Sequence, residues 1–322
     1  MADLRAPFPY FGGKSAAAHL VWDRFGDVAN YVEPFAGSLA VLLNRPHDPR
    51  VETVNDLDGL LVNAWRAIKA DPEGVAIAAD WPVSEADLHP RHWHLVSKRI
   101  ELTERLMGDP EYFDAKLAGW WIWGANIWIG DGWCSGDGPW RIKSGRLSLG
   151  NPGQGINRKL PHLGNPGRGI NRQLPHLGNP GRLTDQGAAV ATWLQALSNR
   201  LRRVRITCGD WSRVLTPAVT TRHGLTGVLL DPPYTEGDAG YSVEAGDFRS
   251  DLVDWCRANE AGIRIALCGH EGEYDLPGWD AEAWKARGGY GNQGGEDEED
   301  NRHRETIWFS PACLSGAQGR LF

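Results

Sequence analysis

Four consecutive residues, Asp231, Pro232, Pro233 and Tyr234, close the apolar run "TGVLL". Proline cannot donate to a sheet ladder, so a strand that arrives here must stop at the aspartate. The residue types suit one kind of chemistry. An amino group on an aromatic ring is a poor nucleophile, because its lone pair is delocalised into the ring. Two acceptors placed on its two hydrogens localise that pair on nitrogen and aim it at a methyl donor. Asp231 supplies a carboxylate and the Pro232 carbonyl a second acceptor, on a rigid backbone that needs no reorganisation. Tyr234 offers a face on which a planar base stacks. A plain turn after a strand accounts for the two prolines, but not for the acid before them or the ring behind.

A second set of residues lies nearer the N-terminus. "VEPFAGSLAV" (32–41) reads as a strand running into small residues and then a helix. Such a turn lets backbone N–H groups approach a ligand closely, which makes Glu33, Pro34, Phe35, Ala36, Gly37 and Ser38 candidates for a cofactor loop. "VND" places an acid, Asp56, at the end of the next strand, about 20 residues on, where nucleotide-binding sheets bind ribose hydroxyls. The pair points to an adenosine-containing cofactor. The alternative for Asp56 is a helix cap, since a helix follows it. "FGGK" (11–14) lacks the preceding strand and the spacing of a phosphate loop, so ATP hydrolysis is not indicated.

Metal and disulfide chemistry find little support. The five cysteines, Cys134, Cys208, Cys256, Cys268 and Cys313, show no CxxC spacing. His92 and His94 in "RHWH" have no acidic or cysteine neighbour, and a solvated helix or loop is the reading adopted there. No metal is expected.

The elements that must position these residues alternate between strand and helix. "RVETVND" is a strand. "LDGLLVNAWRAIKA" is a helix with Leu57, Leu60, Leu61, Ala64 and Ile68 on one face. From 184, "TDQGAAVATWLQALSNRLRRV" reads as a helix capped by Thr184 or Asp185, followed by "RITCGD", "TGVLLD", "IRIALCGH" and "RETIWFS" as strands and "DLVDWCRANEAG" as a helix. Residues 76–183 break the pattern. They hold a tryptophan-rich stretch (Trp120, Trp121, Trp123, Trp128, Trp133 and Trp140), expected mainly as the core of a small inserted domain. They also hold a repeat of period 14, "LGNPGQGINRKLPH" (149–162) and "LGNPGRGINRQLPH" (163–176), with a truncated third copy. The domain expectation is therefore 1–75 and 184–322 for one catalytic sheet, with 76–183 inserted. Ligands of such sheets sit at the carboxyl ends of strands, where the candidate residues fall.

Charge is distributed unevenly. Residues 141–205 carry ten Arg and two Lys against the single acid Asp185, a net of +11, within a chain whose total is −7; the remainder is thus −18. A basic face on an acidic body is the footprint of a polyanion binder. "GGEDEED" (294–300) reads as a solvated acidic loop. No apolar run approaches the roughly 20 residues of a membrane span, and a cytoplasmic protein is expected.

Taken together, the motifs resemble those of the amino-methyltransferases that act on adenine N6 or cytosine N4. Their order, with "DPPY" after the cofactor motif and a long insert, is similar to the Dam-like adenine-specific DNA methylases. "PYFGGK" (9–14) resembles that family's N-terminal element, which implies Tyr10, Gly12, Gly13 and Lys14 at the cofactor. "VEPFAGS", "VNDLD" and "CGDW" resemble further cofactor elements, implying Asp56 at the ribose and Asp210 near an adenine ring, with Asp231 bordering both cofactor and base. The resemblance covers roughly 7–70 and 200–310. It implies a doubly wound, Rossmann-like class I methyltransferase sheet with an inserted target-recognition domain. It also implies S-adenosylmethionine as cofactor, double-stranded DNA as partner and a flipped-out adenine as substrate. One departure stands out: the family's loop reads Phe-x-Gly-x-Gly, and here Leu39 holds the second glycine's place, where a side chain is expected to narrow the approach to the cofactor. Cytosine-N4 transfer and a catalytically idle DNA-binding relative are the alternatives.

The repeats generate a test. Arg158 and Arg172 recur after "IN", and Arg168 and Arg182 after "NPG", which presents a row of cations suited to a DNA backbone. Replacing all four by Ala should weaken DNA binding and flatten its salt dependence by close to one unit of slope per lost phosphate contact. An unaltered slope and affinity after deletion of 163–176 would show that the repeats touch nothing.

Overall fold

The computed structural model describes residues 4–10, 14–128, 133–134, 140–143, 146–149, 186–233, 248–284 and 305–316. Gly12, Gly13, Tyr234, the repeat arginines Arg158, Arg168, Arg172 and Arg182, the proposed caps Thr184 and Asp185, and the acidic stretch 294–300 lie outside the described residues.

The chain divides into two compact units. One takes Asp58–Arg202 with the segment ending at Pro9; the other takes Tyr10–Leu57 and the chain from Arg203 on, apart from Ala239–Tyr241. The second unit is built on seven strands: β1 (Asn30–Glu33), β2 (Val51–Asp56), β5 (Arg205–Cys208), β6 (Thr226–Leu230), β7 (Arg264–His270), β8 (Asp280–Ala283) and β9 (Glu305–Phe309). β3 (Trp140–Lys143) and β4 (Arg146–Leu149) form a separate antiparallel pair in the first unit. The large sheet has the order β5-β2-β1-β6-β7-β9-β8. It is parallel from β5 to β7, and β9 runs antiparallel between β7 and β8. Every residue of β1, β6 and β9 is buried, as expected of strands covered on both faces. On β1, alternation sends Tyr31 to the aromatic side chains Trp22 and Phe25 of α1 (Ala18–Phe25) and Val32 to the cluster that includes Leu252 and Cys256 of α8 (Phe248–Asn259). Helices thus flank both faces of a mostly parallel sheet, the Rossmann-like arrangement expected from the motifs.

Strand order reverses at β1, whose neighbours are β2 on one side and β6 on the other. A crevice opens at the carboxyl ends of the strands at such a switch point. Asn55, 1% exposed, fixes the loops there. Its amide donates to the Pro34 carbonyl (3.1 Å) and to the Gly209 carbonyl (2.8 Å), and its Oδ1 accepts from the Thr207 hydroxyl (2.9 Å). One side chain therefore ties the loop after β1 to the loop after β5.

The first unit is helical: α3 (Gly59–Ala70), α4 (Pro72–Ala79), α5 (Glu85–Gly108), α6 (Ala115–Ile127) and α7 (Gln186–Leu201). Asp58 caps α3 by accepting from the Leu60 N–H (2.9 Å), and Asp114 caps α6 by accepting from the Leu117 N–H (2.8 Å). α3 is buried from Gly59 to Ile68, not along a single stripe, because it packs against α5, α6 and α7. Gly119 lets α6 meet α4 closely: a Cβ there would lie 2.4 Å from the Ala78 Cβ.

The compact units divide at 58 and 203: α3 and α7 pack with the helices between them, and Ser198 donates to the Lys69 carbonyl (2.8 Å). Three features differ from the sequence reading. The stretch after 76 begins with helices, which polar composition and Pro90 inside α5 obscured. Leu57 is 42% exposed and precedes α3. His92 is buried, not solvated: it lies between Trp128 (4.9 Å) and Trp133 (5.0 Å), and burial, then neighbouring His89, pushes its imidazole down to about 4. The tryptophans are mainly core, with Trp121, Trp123 and Trp128 buried.

Asn55→Ala should strand the Pro34 and Gly209 carbonyls at a buried site, lowering stability by about 2–4 kcal/mol, while the Thr207 hydroxyl keeps the Val54 carbonyl as acceptor (3.1 Å). Urea unfolding checks this; a change below about 0.5 kcal/mol would mean the two loops hold themselves.

Candidate functional site

The crevice at the switch point is assembled from the ends of β1 and β6, the turn that follows β1, and the segment holding Tyr10 and Lys14. The chain leaves β1 at Glu33 and turns through 34–39 into the short helix α2 (Ala40–Leu43). The Ala36 N–H donates to the Asn55 carbonyl (2.8 Å), and the Gly37 N–H to Asp56 Oδ2 (3.1 Å), so β2 holds the turn from below. Gly37 has φ +48, and a Cβ on it would approach Tyr10 Cε1 to 2.9 Å. Glycine is required there twice over, by backbone conformation and by the ring lying against it.

Leu39 also has positive φ, at 55, with ψ 26. The left-handed region favours glycine, which explains why the resembling family carries glycine at this position. The leucine side chain is 0% exposed and joins the core. It does not line the crevice, so the expectation that it narrows the cofactor's approach does not hold.

Tyr10, Lys14, Glu33 and Asp231 line the crevice together with the turn residues Phe35, Ala36, Gly37 and Ser38. Pro34 is buried beneath the turn, and its carbonyl faces Asn55. Pro232 is buried and Pro233 half-buried directly behind Asp231. Asp56 is 3% exposed beneath Gly37 and is outside the lining. The helix-cap role considered for Asp56 belongs instead to Asp58. Asp210 is exposed and accepts from the Ser212 N–H (2.9 Å), which caps a 3-10 turn at Trp211–Val214.

The electrostatics are unusual for the number of carboxylates involved. Lys14 is 4% exposed, and its Nζ lies 3.0 Å from Asp231 Oδ1 and 3.7 Å from Glu305 Oε2. Burial acts to lower the lysine's pKa, but Asp231, Cys268 and Glu305 together outweigh it and hold the ammonium above the ordinary lysine range. Glu33 is buried and accepts from the Tyr31 hydroxyl (3.0 Å). Burial pushes its carboxyl well above the usual range; the Tyr31 hydrogen bond opposes this, and Asp231 and Asp56 add to it. Burial and the adjacent Glu33 push the Tyr31 phenol upward as well.

Sequence reasoning missed Asn55, Glu305 and an aromatic wall. Phe35 stacks with Trp211 at 6.5 Å and 24°, and Phe248 meets both edge-on at 5.8 and 5.7 Å. Trp211 was visible in "CGDW"; Phe248 and Glu305 carried no local signal, because distant segments bring them in. Among the described residues, no group of three or more His, Cys, Asp or Glu is placed to hold a metal ion.

Residues 10–96 match the family model described as D12 class N6 adenine-specific DNA methyltransferase. No curated protein matches the chain. The matched stretch includes Tyr10, Lys14, β1, the turn at 34–39 and Asp56, all of them in the unit that carries the crevice. Over that stretch, on a seven-stranded, mostly parallel sheet with its crevice at the switch point, the chain is similar to the D12 class N6 adenine-specific DNA methyltransferases.

Proposed function

We propose that the chain uses S-adenosylmethionine to methylate N6 of a specific adenine flipped out of double-stranded DNA. The observation that carries this reading is Asp231, a carboxylate at the end of β6 that lines the same crevice as the Gly37 turn. Acceptor and cofactor loop thus belong to one site.

The residues present fit the cofactor. Gly37 lets the Tyr10 ring lie against the turn, and two acids, Glu33 and Asp231, line the crevice, which suits a group bearing sulfonium and ammonium charge. Glu33, Pro34, Phe35, Ala36, Gly37, Ser38 and Asp56 would hold it, with Tyr10 over the turn and Asp210 near the ring. The wall of Phe35, Trp211 and Phe248 offers apolar surface for that adenine ring. When bound, the cofactor supplies an electrophilic methyl group. Asp231 and the Pro232 carbonyl accept the two amino hydrogens of the target base and localise its lone pair. As the nitrogen gains its new bond to carbon, it sheds a proton, and Asp231 is the nearest acceptor. Tyr234 stacks on the extruded ring.

A base within a duplex must leave the stack to reach such a crevice. The basic region 141–205, with the repeat arginines, is assigned to the DNA phosphates. Among the described residues no helix is long and apolar enough to cross a membrane, and work on DNA in the cytoplasm fits the reading.

The test is methylation of mixed-sequence DNA with isotope-labelled S-adenosylmethionine, followed by nucleoside mass spectrometry. Label should appear in N6-methyladenine. Asp231→Ala should lower methyl transfer by about 10³-fold or more while leaving the cofactor Kd within a few-fold. Undiminished turnover by that variant, or label in cytosine alone, would overturn the reading.

A further inference from the structure

We infer that Lys14 is a positioning residue for Asp231, holding the carboxylate that receives the amino group, and that Glu305 anchors Lys14 for this task. The inference rests on the assignment of Asp231 made above, and it gives Lys14 a different role from the cofactor contact that the sequence motif implies.

Lys14 opens a 3-10 turn, Lys14–Ala16, whose first carbonyl accepts from the Ala17 N–H (3.0 Å). From that fixed point its side chain is buried, with Nζ 3.0 Å from Asp231 Oδ1, 3.7 Å from Glu305 Oε2 and 5.5 Å from the centre of the Trp284 ring. Glu305 begins β9 and pairs in register with His270 of β7. The ammonium therefore bridges the end of β6 to the start of β9.

The chemistry gives that bridge a purpose. The two prolines after Asp231 fix the backbone but leave its side-chain torsions free to turn. An ammonium on one oxygen sets the plane of the carboxylate. A carboxylate offers about four lone-pair sites on its two oxygens, so a bond from Lys14 leaves capacity for an N–H of the base. Asp231 also sits among other acids: Glu33 lines the same crevice, and Glu305 flanks it across the ammonium. The ammonium offsets that negative charge and holds Asp231 in one orientation. A charge with this role acts on the rate of transfer and not on the affinity for the cofactor.

The experiment measures methyl transfer at saturating DNA and S-adenosylmethionine, with the cofactor Kd from calorimetry. Lys14→Gln should slow transfer by about 10²-fold and change the Kd by less than about threefold. Lys14→Arg, which keeps the charge, should recover part of the loss. In an Asp231→Asn background, adding Lys14→Gln should cause no further loss, because the two act as a unit. Glu305→Gln removes only the outer anchor and should slow transfer by about tenfold with unchanged Kd, a readout that remains if Lys14→Gln fails to fold. The inference is overturned if Lys14→Gln raises the Kd at an intact saturated rate, if the two losses multiply, or if Glu305→Gln transfers normally. These outcomes differ from failure of the underlying reading, in which Asp231→Asn itself turns over normally.

Discussion

Carboxylates gathered at the carboxyl ends of parallel strands repel one another, and in this protein one buried ammonium opposes that repulsion. Asp231, Glu305 and the electrostatically coupled Glu33 and Asp56 converge on a small volume, and among the described residues Lys14 is a cation placed against two of them. A buried ammonium without partners would be expelled or neutralised. A cluster of acids without a cation would protonate or spread apart. Each side makes the other tolerable, and the turn at 34–39, the end of β6 and the start of β9 are thereby held around one point. The elevated carboxyl of Glu33 marks how far the compensation reaches: one ammonium does not balance every acid, and a carboxyl buried by protein beside Asp231 and Asp56 takes a proton more readily.

The helical unit solves a different problem. Its sequence is rich in rings and poor in regular apolar stripes, and it buries the rings with cations set against them. The Arg91 guanidinium lies 4.6 Å from Trp81, 5.0 Å from Trp120 and 4.5 Å from Trp123. Such contacts offset part of the cost of bringing a charged residue into a helical core, because ring faces partly replace water, though burial still disfavours the charged form of Arg91. The same arrangement hides the amphipathic signature that a sequence reader looks for.

Much of the sheet was legible in the sequence, and the reasons are local. Strands β6, β7 and β9 are short apolar runs, as a strand covered on both faces must be, and β1 and β2 are marked by the small residues or the acid at their ends. The turn residues 33–38 and Asp231 were legible because their types are unexplained by folding alone. The extent of the helical unit was not, since α3 reads as an ordinary amphipathic helix until its partners are known to surround it. Asn55 was hidden for a similar reason. An asparagine between valine and aspartate looks incidental in "VND", and only the closure of two loops 21 and 154 residues away in sequence gives it partners. The ion pair of Lys14 was hidden because its acids come from far along the chain.

Leu39 has a thermodynamic consequence beyond its backbone angle. A glycine in the left-handed conformation is at ease, but it is equally at ease elsewhere, so a loop that relies on glycine keeps much of its freedom until a ligand orders it. A leucine enters that conformation reluctantly, and here a fully buried side chain compels it to stay. The ordering entropy of the turn is settled when the chain folds, not when a ligand arrives. A turn built this way trades adaptability for a shape that is set in advance.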